Sequence, residues 1–233
     1  MHNFGVLIPS TNTTAEIEYS RHLPADWQAH YARMMTSSAE KTPFSPPKDE
    51  DVDYQARLLG SARVEAIFLL QTSASLFRDG YCEDVSRRIS AAAGGVPGFT
   101  SAMAIGEAMQ ALKVKRIALV SPYSEPVNAS AKRYYEEKYG LQVVALEGFA
   151  ATDSYAIGQL GPENAHDAFK RIDRPEIEAF VVPGGNFPTM ASIDVWEIEL
   201  NKPVVTTNQA ALWAVRQRLG SHERFPGIGK LLA

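Results

Sequence analysis

The chain has 233 residues, of which 45% are hydrophobic and 21% charged, which is ordinary for a globular protein with one large or two small domains. Its formal net charge of −4 gives no basic surface, which argues against nucleic acid and anionic membranes as partners. Because the N-terminus has no signal-peptide pattern, no apolar stretch could span a bilayer and the single Cys82 cannot form an internal disulfide, we expect a cytoplasmic protein.

Short apolar runs alternate with amphipathic segments along the whole chain. This pattern predicts βα units on mostly parallel sheets, an α/β fold. Strands are predicted at 4–9, 27–34, 65–70, 115–120, 142–147, 178–183 and 203–206. Helices are predicted at 13–22, 50–62, 79–92, 101–112, 126–139, 162–171, 190–200 and 208–219. The proline-rich stretch 41–51 is predicted to be a loop that leads into a helix.

Three pairs of segments in the chain resemble each other. The pairs are 5–14 with 118–128, 68–77 with 180–190, and 96–112 with 202–219, at separations of about 106 to 113 residues. Such a spacing indicates an internal duplication, so we expect two α/β lobes related by a pseudo-two-fold axis with a cleft between them. The first lobe is predicted to contain residues 1–97 and 207–233, and the second lobe residues 98–206.

Polar residues follow the predicted strands in both halves. In open α/β sheets ligands bind outside the carboxyl ends of the strands, where helix N-termini favour negative charge. We therefore predict a carboxylate-binding cleft, although each of these residues could instead only cap the helix that follows it. The predicted lining residues are Pro9, Ser10 and Asn12, Gln71, Thr72 and Ser73, Ser121 to Tyr123, Gly184, Gly185 and Asn186, and Thr206 to Asn208.

Other motifs are weak. No histidine has the spacing of a metal site, and no glycine-rich nucleotide motif follows a strand, so we predict neither a metal nor a cofactor. Cys82 is predicted to lie in a helix away from the strand ends, as an inert thiol.

Five motifs of the chain carry a resemblance to known enzymes. They are GVLIPSTNTTAEIEY, QTSASLFRDG, SPYSEPVN, PVVTTNQAALWA and the closing PGIGKLL. Together they resemble motifs of maleate isomerases and arylmalonate decarboxylases in the aspartate/glutamate racemase superfamily. The resemblance implies two pseudo-symmetric lobes and cofactor-independent chemistry on small carboxylates. It also implies that a substrate carboxylate is held by Asn12, Thr72, Ser73, Tyr123 and the backbone of Gly185.

The catalytic cysteines of that family would correspond to Gln71 and Gly184, neither of which can act as an acid, base or nucleophile. What stays available is stabilisation of an enediolate or a tetrahedral oxyanion by preorganised donors. Gln71 is then predicted to position a water molecule, with Tyr123 and Glu16 as the candidates for proton transfer. Glu16 could instead only stabilise the start of its helix.

Two functions are compatible with these residues. The first is a cofactor-independent enzyme acting on a small carboxylate, or a related carbonyl or amide compound, by lyase, isomerase or hydrolase chemistry. The second is a catalytically silent protein of the same fold that binds a small carboxylate. Either protein could assemble as a homo-oligomer.

Overall fold

The computed structural model describes residues 1–35 and 44–233, and in those residues it contains two four-stranded parallel sheets. The strand order is β2-β1-β3-β4 in the first sheet and β6-β5-β7-β8 in the second. All strand pairs in both sheets are parallel, as predicted for this fold class. The strands are β1 His2–Pro9, β2 Trp27–Met34, β3 Ala66–Leu69, β4 Gly98–Thr100, β5 Arg116–Ser121, β6 Gln142–Gly148, β7 Ala179–Val182 and β8 Val204–Thr206.

Helices follow the strands and cover the sheets. They are α1 Ala15–His22, α2 Asp49–Ser61, α3 Thr72–Ser75, α4 Tyr81–Ala92, α5 Ser101–Ala111, α6 Glu125–Tyr139, α7 Ser154–Gly158, α8 Pro162–Ile172, α9 Ile193–Leu200 and α10 Thr207–Arg218. A 3-10 turn, Met190–Ser192, precedes α9. Within the described ranges, no helix combines the length and apolar character needed to cross a bilayer.

The two sheets repeat each other strand for strand. Each places its first strand between the second and third strands and adds the fourth beyond the third, as an internal duplication predicts. The division of the chain into lobes after residues 97 and 206 stays a prediction.

The central strands β3 and β7 are buried at every residue, because helices cover both faces of each sheet. Chain segments that leave such strands reach the carboxyl edge of the sheet at once. This position places the turns 70–73 and 183–187 where a ligand of an α/β fold binds.

Helices α5 and α10 occupy equivalent positions after the two sheets and pack against each other. Arg218 of α10 donates two hydrogen bonds of 3.0 Å to the carboxylate of Glu107 in α5. The same guanidinium lies over the ring of Phe99 in β4, 4.0 Å from its centroid. These contacts tie the helix of one repeat to the other.

The short elements β4, α3 and α7 were not predicted, and α2 begins at Asp49 rather than one or two residues later. Of the predicted loop, residues 41–43 lie outside the described residues, and residues 44–48 form no helix or strand.

Candidate active site

Tyr123 brings the two halves of the predicted cleft together. It follows β5, and its hydroxyl lies within hydrogen-bonding reach of the side chains of Thr72 and Ser73 and of the Ser73 N–H. Thr72 and Ser73 open α3, directly after β3 of the other sheet. Three residues predicted from two separate stretches therefore form one cluster.

The Tyr123 side chain is only 2% exposed, and its ring packs edge-on against Phe44. Burial raises the pKa of the Tyr123 phenol well above its usual value of 10.0, although the nearby donors from Thr72 and Ser73 oppose this shift. The phenol consequently keeps its proton at neutral pH. It can donate a hydrogen bond to an anion but is a poor base.

Behind this cluster, a chain of buried hydroxyls connects the two turns. Thr72 Oγ1 lies 3.0 Å from Ser101 Oγ and 3.3 Å from Thr207 Oγ1. Thr207 Oγ1 in turn accepts a 2.8 Å hydrogen bond from the N–H of Gly184. Ser101 and Thr207 are the first residues of α5 and α10, so the repeat contributes one hydroxyl from each helix.

Ser101 was not among the predicted site residues, whereas Thr207 lay within the predicted stretch 206–208. The strand before Ser101 has only three residues and was missed, so no strand end pointed to it. The repeat itself carried the signal, because the segment containing Ser101 matches the segment containing Thr207.

Gly184 has a φ of +111°, a backbone conformation that residues with a Cβ atom rarely adopt. A Cβ at this position would lie 2.9 Å from Pro122 Cγ and 3.7 Å from the Tyr123 hydroxyl. The backbone at Gly184 therefore runs directly against the turn that carries Tyr123, and only glycine permits this approach.

The carbonyl of Gly185 is held by two asparagine side chains. It accepts hydrogen bonds from Asn12 Nδ2 at 3.1 Å and from Asn208 Nδ2 at 3.2 Å. Asn12 also accepts hydrogen bonds from the N–H groups of Thr14 and Ala15, so it caps α1 as well. Asn12 therefore contacts both the start of α1 and the turn after β7. Its role in ligand binding stays a prediction.

Asn186 joins the second turn to the segment before α1. Its Oδ1 accepts a 2.8 Å hydrogen bond from the N–H of Thr13, and its Nδ2 donates to the carbonyl of Ser154 at 2.7 Å. Its own carbonyl accepts a hydrogen bond from the hydroxyl of Thr14. The side-chain amide is thus committed to protein contacts, and the backbone N–H is the group of Asn186 better suited to a ligand.

Gln71 precedes α3 and turns toward the loop at 44–48. Its Nε2 donates a 2.8 Å hydrogen bond to the carbonyl of Ser45. This contact closes one side of the cluster. That Gln71 positions a water molecule stays a prediction.

Glu16 lies at the surface, 44% exposed, in an ion pair with Arg33. Arg33 also donates to the carbonyls of Ser10 and Asn12, at 3.1 and 2.9 Å, and so braces the turn after β1. Pro9 ends that strand, paired with Met34 of β2. None of these contacts brings the Glu16 carboxylate to the Tyr123 cluster.

Cys82 lies in α4 as predicted and is buried. Its Sγ is 3.2 Å from the Tyr134 hydroxyl and accepts a hydrogen bond from Thr100 Oγ1 at 3.4 Å. Thr100 ends β4, so Cys82 does touch one strand end, that of a strand that was not predicted. The contacts of its thiol are with Tyr134 and Thr100, not with the Tyr123 cluster.

Known proteins share this fold. A crystal structure of the maleate isomerase Iso from Pseudomonas putida S16, a variant with maleate, superposes with a TM-score of 0.87 at 24% identity, covering 99% of this chain and 97% of the other. A crystal structure of arylmalonate decarboxylase gives a TM-score of 0.79 at 21% identity over 99% and 98% of the two chains. At these identities the likeness establishes the fold.

Sequence comparison extends the relationship. A maleate isomerase of Pseudomonas putida is 26% identical over all of this chain and 98% of its own length. The arylmalonate decarboxylase of Bordetella bronchiseptica is 27% identical over 78% of this chain and 77% of its own. The resemblance inferred from the motifs is confirmed. The sequence profile of arylmalonate decarboxylase matches residues 44–232, and the chain therefore belongs to the arylmalonate decarboxylase family of enzymes.

Proposed function

We propose that this protein is a cofactor-independent enzyme that binds a small carboxylate between the turns after β3 and β7 and stabilises an enediolate or oxyanion formed from it. One observation carries this proposal: the hydroxyl of Tyr123, from one repeat, lies with the donors of Thr72 and Ser73 from the other. Preorganised donors of this kind, shielded from water, often supply the largest part of catalysis.

The cluster suits an anion without any cation beside it. Tyr123 keeps its proton because burial raises its pKa, and the Ser73 N–H belongs to the first turn of α3, where N–H groups have no partner within the helix. Hydrogen bonds from such donors to a carboxylate are roughly twice as strong as those between neutral groups. A carboxylate or an enediolate is therefore the ligand that this arrangement favours.

The chemistry must proceed without a thiol at either turn. A crystal structure of Nocardia farcinica maleate cis-trans isomerase holds a covalently bound succinylcysteine intermediate. In the present chain the only cysteine lies in α4, and Gln71 and Gly184 stand at the two turns. Thiol addition is thus not the route that these residues support.

Decarboxylation of a malonate-type substrate needs the fewest additional groups. The bond to one carboxylate breaks, CO2 leaves, and the electron pair stays on the remaining fragment as an enediolate held by Tyr123 and Ser73. Water held near Gln71 then donates a proton to the carbon and leaves as hydroxide, which solvent neutralises. Isomerase and hydrolase reactions that use the same hydrogen-bond donors are also compatible with these residues.

A specific observation favours the second candidate, a silent carboxylate-binding protein. Among the described residues, no carboxyl or imidazole side chain hydrogen-bonds to Tyr123, Thr72 or Ser73. Such a protein would bind the carboxylate through the donors of Tyr123, Thr72 and Ser73 and form no product.

The test is a screen of the purified protein against maleate, alkyl- and arylmalonates, hydantoins and cyclic amides, read by mass spectrometry, with calorimetry for binding. We expect product from a carboxylate substrate and a loss of about tenfold or more in Tyr123→Phe. Tyr135→Phe is the matched control, because the Tyr135 hydroxyl is equally buried and has no hydrogen-bond partner among the described residues.

Carboxylate binding without turnover would identify the silent protein. Absence of both binding and turnover would overturn the proposed function.

A further inference from the structure

Glu18 is a buried carboxylate that the proposed chemistry does not use. It lies on α1 and is only 7% exposed. Its Oε1 accepts hydrogen bonds from the N–H groups of Thr189 at 2.6 Å and Met190 at 2.8 Å, and its Oε2 accepts one from Asn208 Nδ2 at 2.6 Å. Burial raises the pKa of Glu18 despite these donors. Burying this carboxyl group costs desolvation free energy, which its hydrogen bonds only partly offset.

The contact with Asn208 leads to the candidate site. Asn208 Nδ2 donates both to Glu18 Oε2 and to the carbonyl of Gly185. Since the Gly185 carbonyl oxygen can only accept, the amide nitrogen of Asn208 must face it, and Glu18 Oε2 lies on the same side. The Oδ1 of Asn208 is consequently turned away and has no partner within the described residues. Glu18 therefore helps to hold the Asn208 amide in this orientation.

The orientation of the Gly185 carbonyl in turn fixes the direction of an N–H donor. It belongs to the same planar peptide unit as the N–H of Asn186, and in a trans peptide the two groups point in opposite directions. In the described part of the chain that N–H makes no hydrogen bond. Holding the carbonyl from one side therefore aims the N–H toward the other.

We propose that Glu18 is a positioning residue of the candidate site: acting through Asn208, it fixes the Gly185–Asn186 peptide so that the Asn186 N–H is available to an anionic ligand. The inference rests on the proposed function for the identity of the ligand. The orientation of the peptide does not depend on the ligand and can be measured separately.

Glu18→Gln is the informative variant because it keeps the shape of the side chain and replaces one acceptor by a donor. If the new amide NH2 faces Asn208, two donors meet and Asn208 must turn its oxygen toward the Gly185 carbonyl. If it faces Thr189 and Met190 instead, their N–H groups lose their acceptor. In either case the contacts that define the peptide are disturbed.

Glu197→Gln is the matched control. Glu197 is also a buried glutamate with a raised pKa, and it accepts hydrogen bonds from the N–H groups of Val204 and Lys230. None of these contacts involves the turns of the candidate site. Loss of stability common to both variants is thereby separated from an effect on the site.

The first measurement is amide hydrogen exchange and the amide NMR shift of Asn186 in the protein without ligand. We expect Glu18→Gln to shift this resonance and accelerate exchange at residues 184–187 by about tenfold, and Glu197→Gln to leave both unchanged. If Glu18→Gln does not fold, Asn208→Ala tests the same link by removing the intermediate donor. An unaltered Asn186 amide in the folded variant would overturn the proposal.

The second measurement is titration with maleate and with phenylmalonate. Glu18→Gln should weaken the affinity by about tenfold, and should change it less than about twofold when Asn208→Ala is already present, since contacting residues that act through one another are not additive. An equal loss in both backgrounds would show that Glu18 does not act through Asn208. If the wild type neither binds nor turns over any compound of the substrate screen, the proposed function fails, while the amide measurement still decides the positioning role.

Discussion

The turn after β3 and the turn after β7 occupy the same place in the two repeats but use different chemistry. The first presents hydroxyl side chains, Thr72 and Ser73, after Gln71, whose φ of −137° suits any residue. The second presents glycine backbone, with Gly184 at a φ of +111°. The two equivalent turns of this duplicated fold therefore differ chemically, one carrying side-chain hydroxyls and the other glycine backbone.

The two turns also differ in the support they need. The first is stabilised by the short helix α3 and the hydroxyl chain behind Thr72. The second is held from outside by Asn12 and Asn208 on the Gly185 carbonyl. Neighbouring hydroxyls thus orient the Thr72 side chain of the first turn, and asparagine side chains orient the backbone of the second.

The largest effect on stability is expected from a substitution in the second turn. Gly184→Ala should lower the free energy of unfolding by about 2–3 kcal/mol, because the left-handed backbone is strained for alanine and the new Cβ meets Pro122. Gln71→Ala, at the equivalent position, should cost less than about 1 kcal/mol. Urea denaturation of both variants compares the two turns directly.

Equal losses at the two positions would contradict the difference described. The same strain bears on Gln71→Cys combined with Gly184→Cys, which would place thiols at both turns. That double variant should carry the stability loss of position 184, and any trace racemase or isomerase activity should be sought first in Gln71→Cys.

The next effect sharpens the role of the first turn. Thr72→Ala should weaken binding of a small carboxylate by about 1–3 kcal/mol, the cost of leaving a charged acceptor short of one donor. Because Thr72 also contacts Ser101 and Thr207, stability should fall by about 1 kcal/mol. Calorimetry measures the first quantity and denaturation the second. Unchanged affinity in both Thr72→Ala and Tyr123→Phe would place the carboxylate site elsewhere.

A smaller effect concerns Tyr123, which spans the two halves. Burial raises its pKa in the folded state above the usual 10.0, so the unfolded phenol ionises first as pH rises. The stability that this difference contributes is fully present below pH 10 and is lost as pH increases beyond it. Tyr123→Phe should therefore reduce the decline of unfolding free energy above pH 10, by up to about 1.4 kcal/mol per pH unit.

Denaturation at intervals from pH 8 to 11 shows this slope. Carboxylate affinity should not change between pH 7 and 9 through this group, because the phenol stays protonated. An identical slope in the wild type and in Tyr123→Phe would mean that the phenol ionises equally easily in both states.

The smallest effect on binding is expected outside both turns. Cys82→Ala should leave carboxylate affinity and turnover within a few-fold of the wild type, since the thiol contacts Tyr134 and Thr100 and no residue of the cluster. Stability should fall by about 1 kcal/mol, as for other small losses of buried volume. A loss of activity of 100-fold or more would show that the thiol takes part in the chemistry.

Much of the fold could be predicted from the sequence because buried parallel strands are continuous apolar runs. The edge strand at 27–34 is not such a run, since it largely alternates apolar with polar residues, and it was placed with the bounds that the structure shows. The three residues of β4 and the four of α3 are too short for any periodicity to register, and both were missed. Because β4 was missed, Ser101 was predicted to begin a helix but not to follow a strand end, so it was not recognised as a site residue.

The candidate site could be predicted by location more readily than by contact. Thr72, Ser73 and Tyr123 were expected together and lie together. Sequence shows which side chains can form hydrogen bonds but not with which partners. Glu16 and Glu18 illustrate this limit: both are acidic residues of one short helix, and only packing against the second sheet's turns distinguishes the surface ion pair of Glu16 from the buried carboxylate of Glu18.

The packing of α5 against α10 also bears on the origin of the protein. Two equivalent helices in contact are what a two-fold dimer of a single repeat would place at its subunit interface. A gene encoding half of this chain would leave the apolar surface of α10 uncovered until a second copy arrived. In the present chain the two equivalent helices cover each other within one molecule, so the turns of the two repeats need not be alike: one carries hydroxyls and the other glycine.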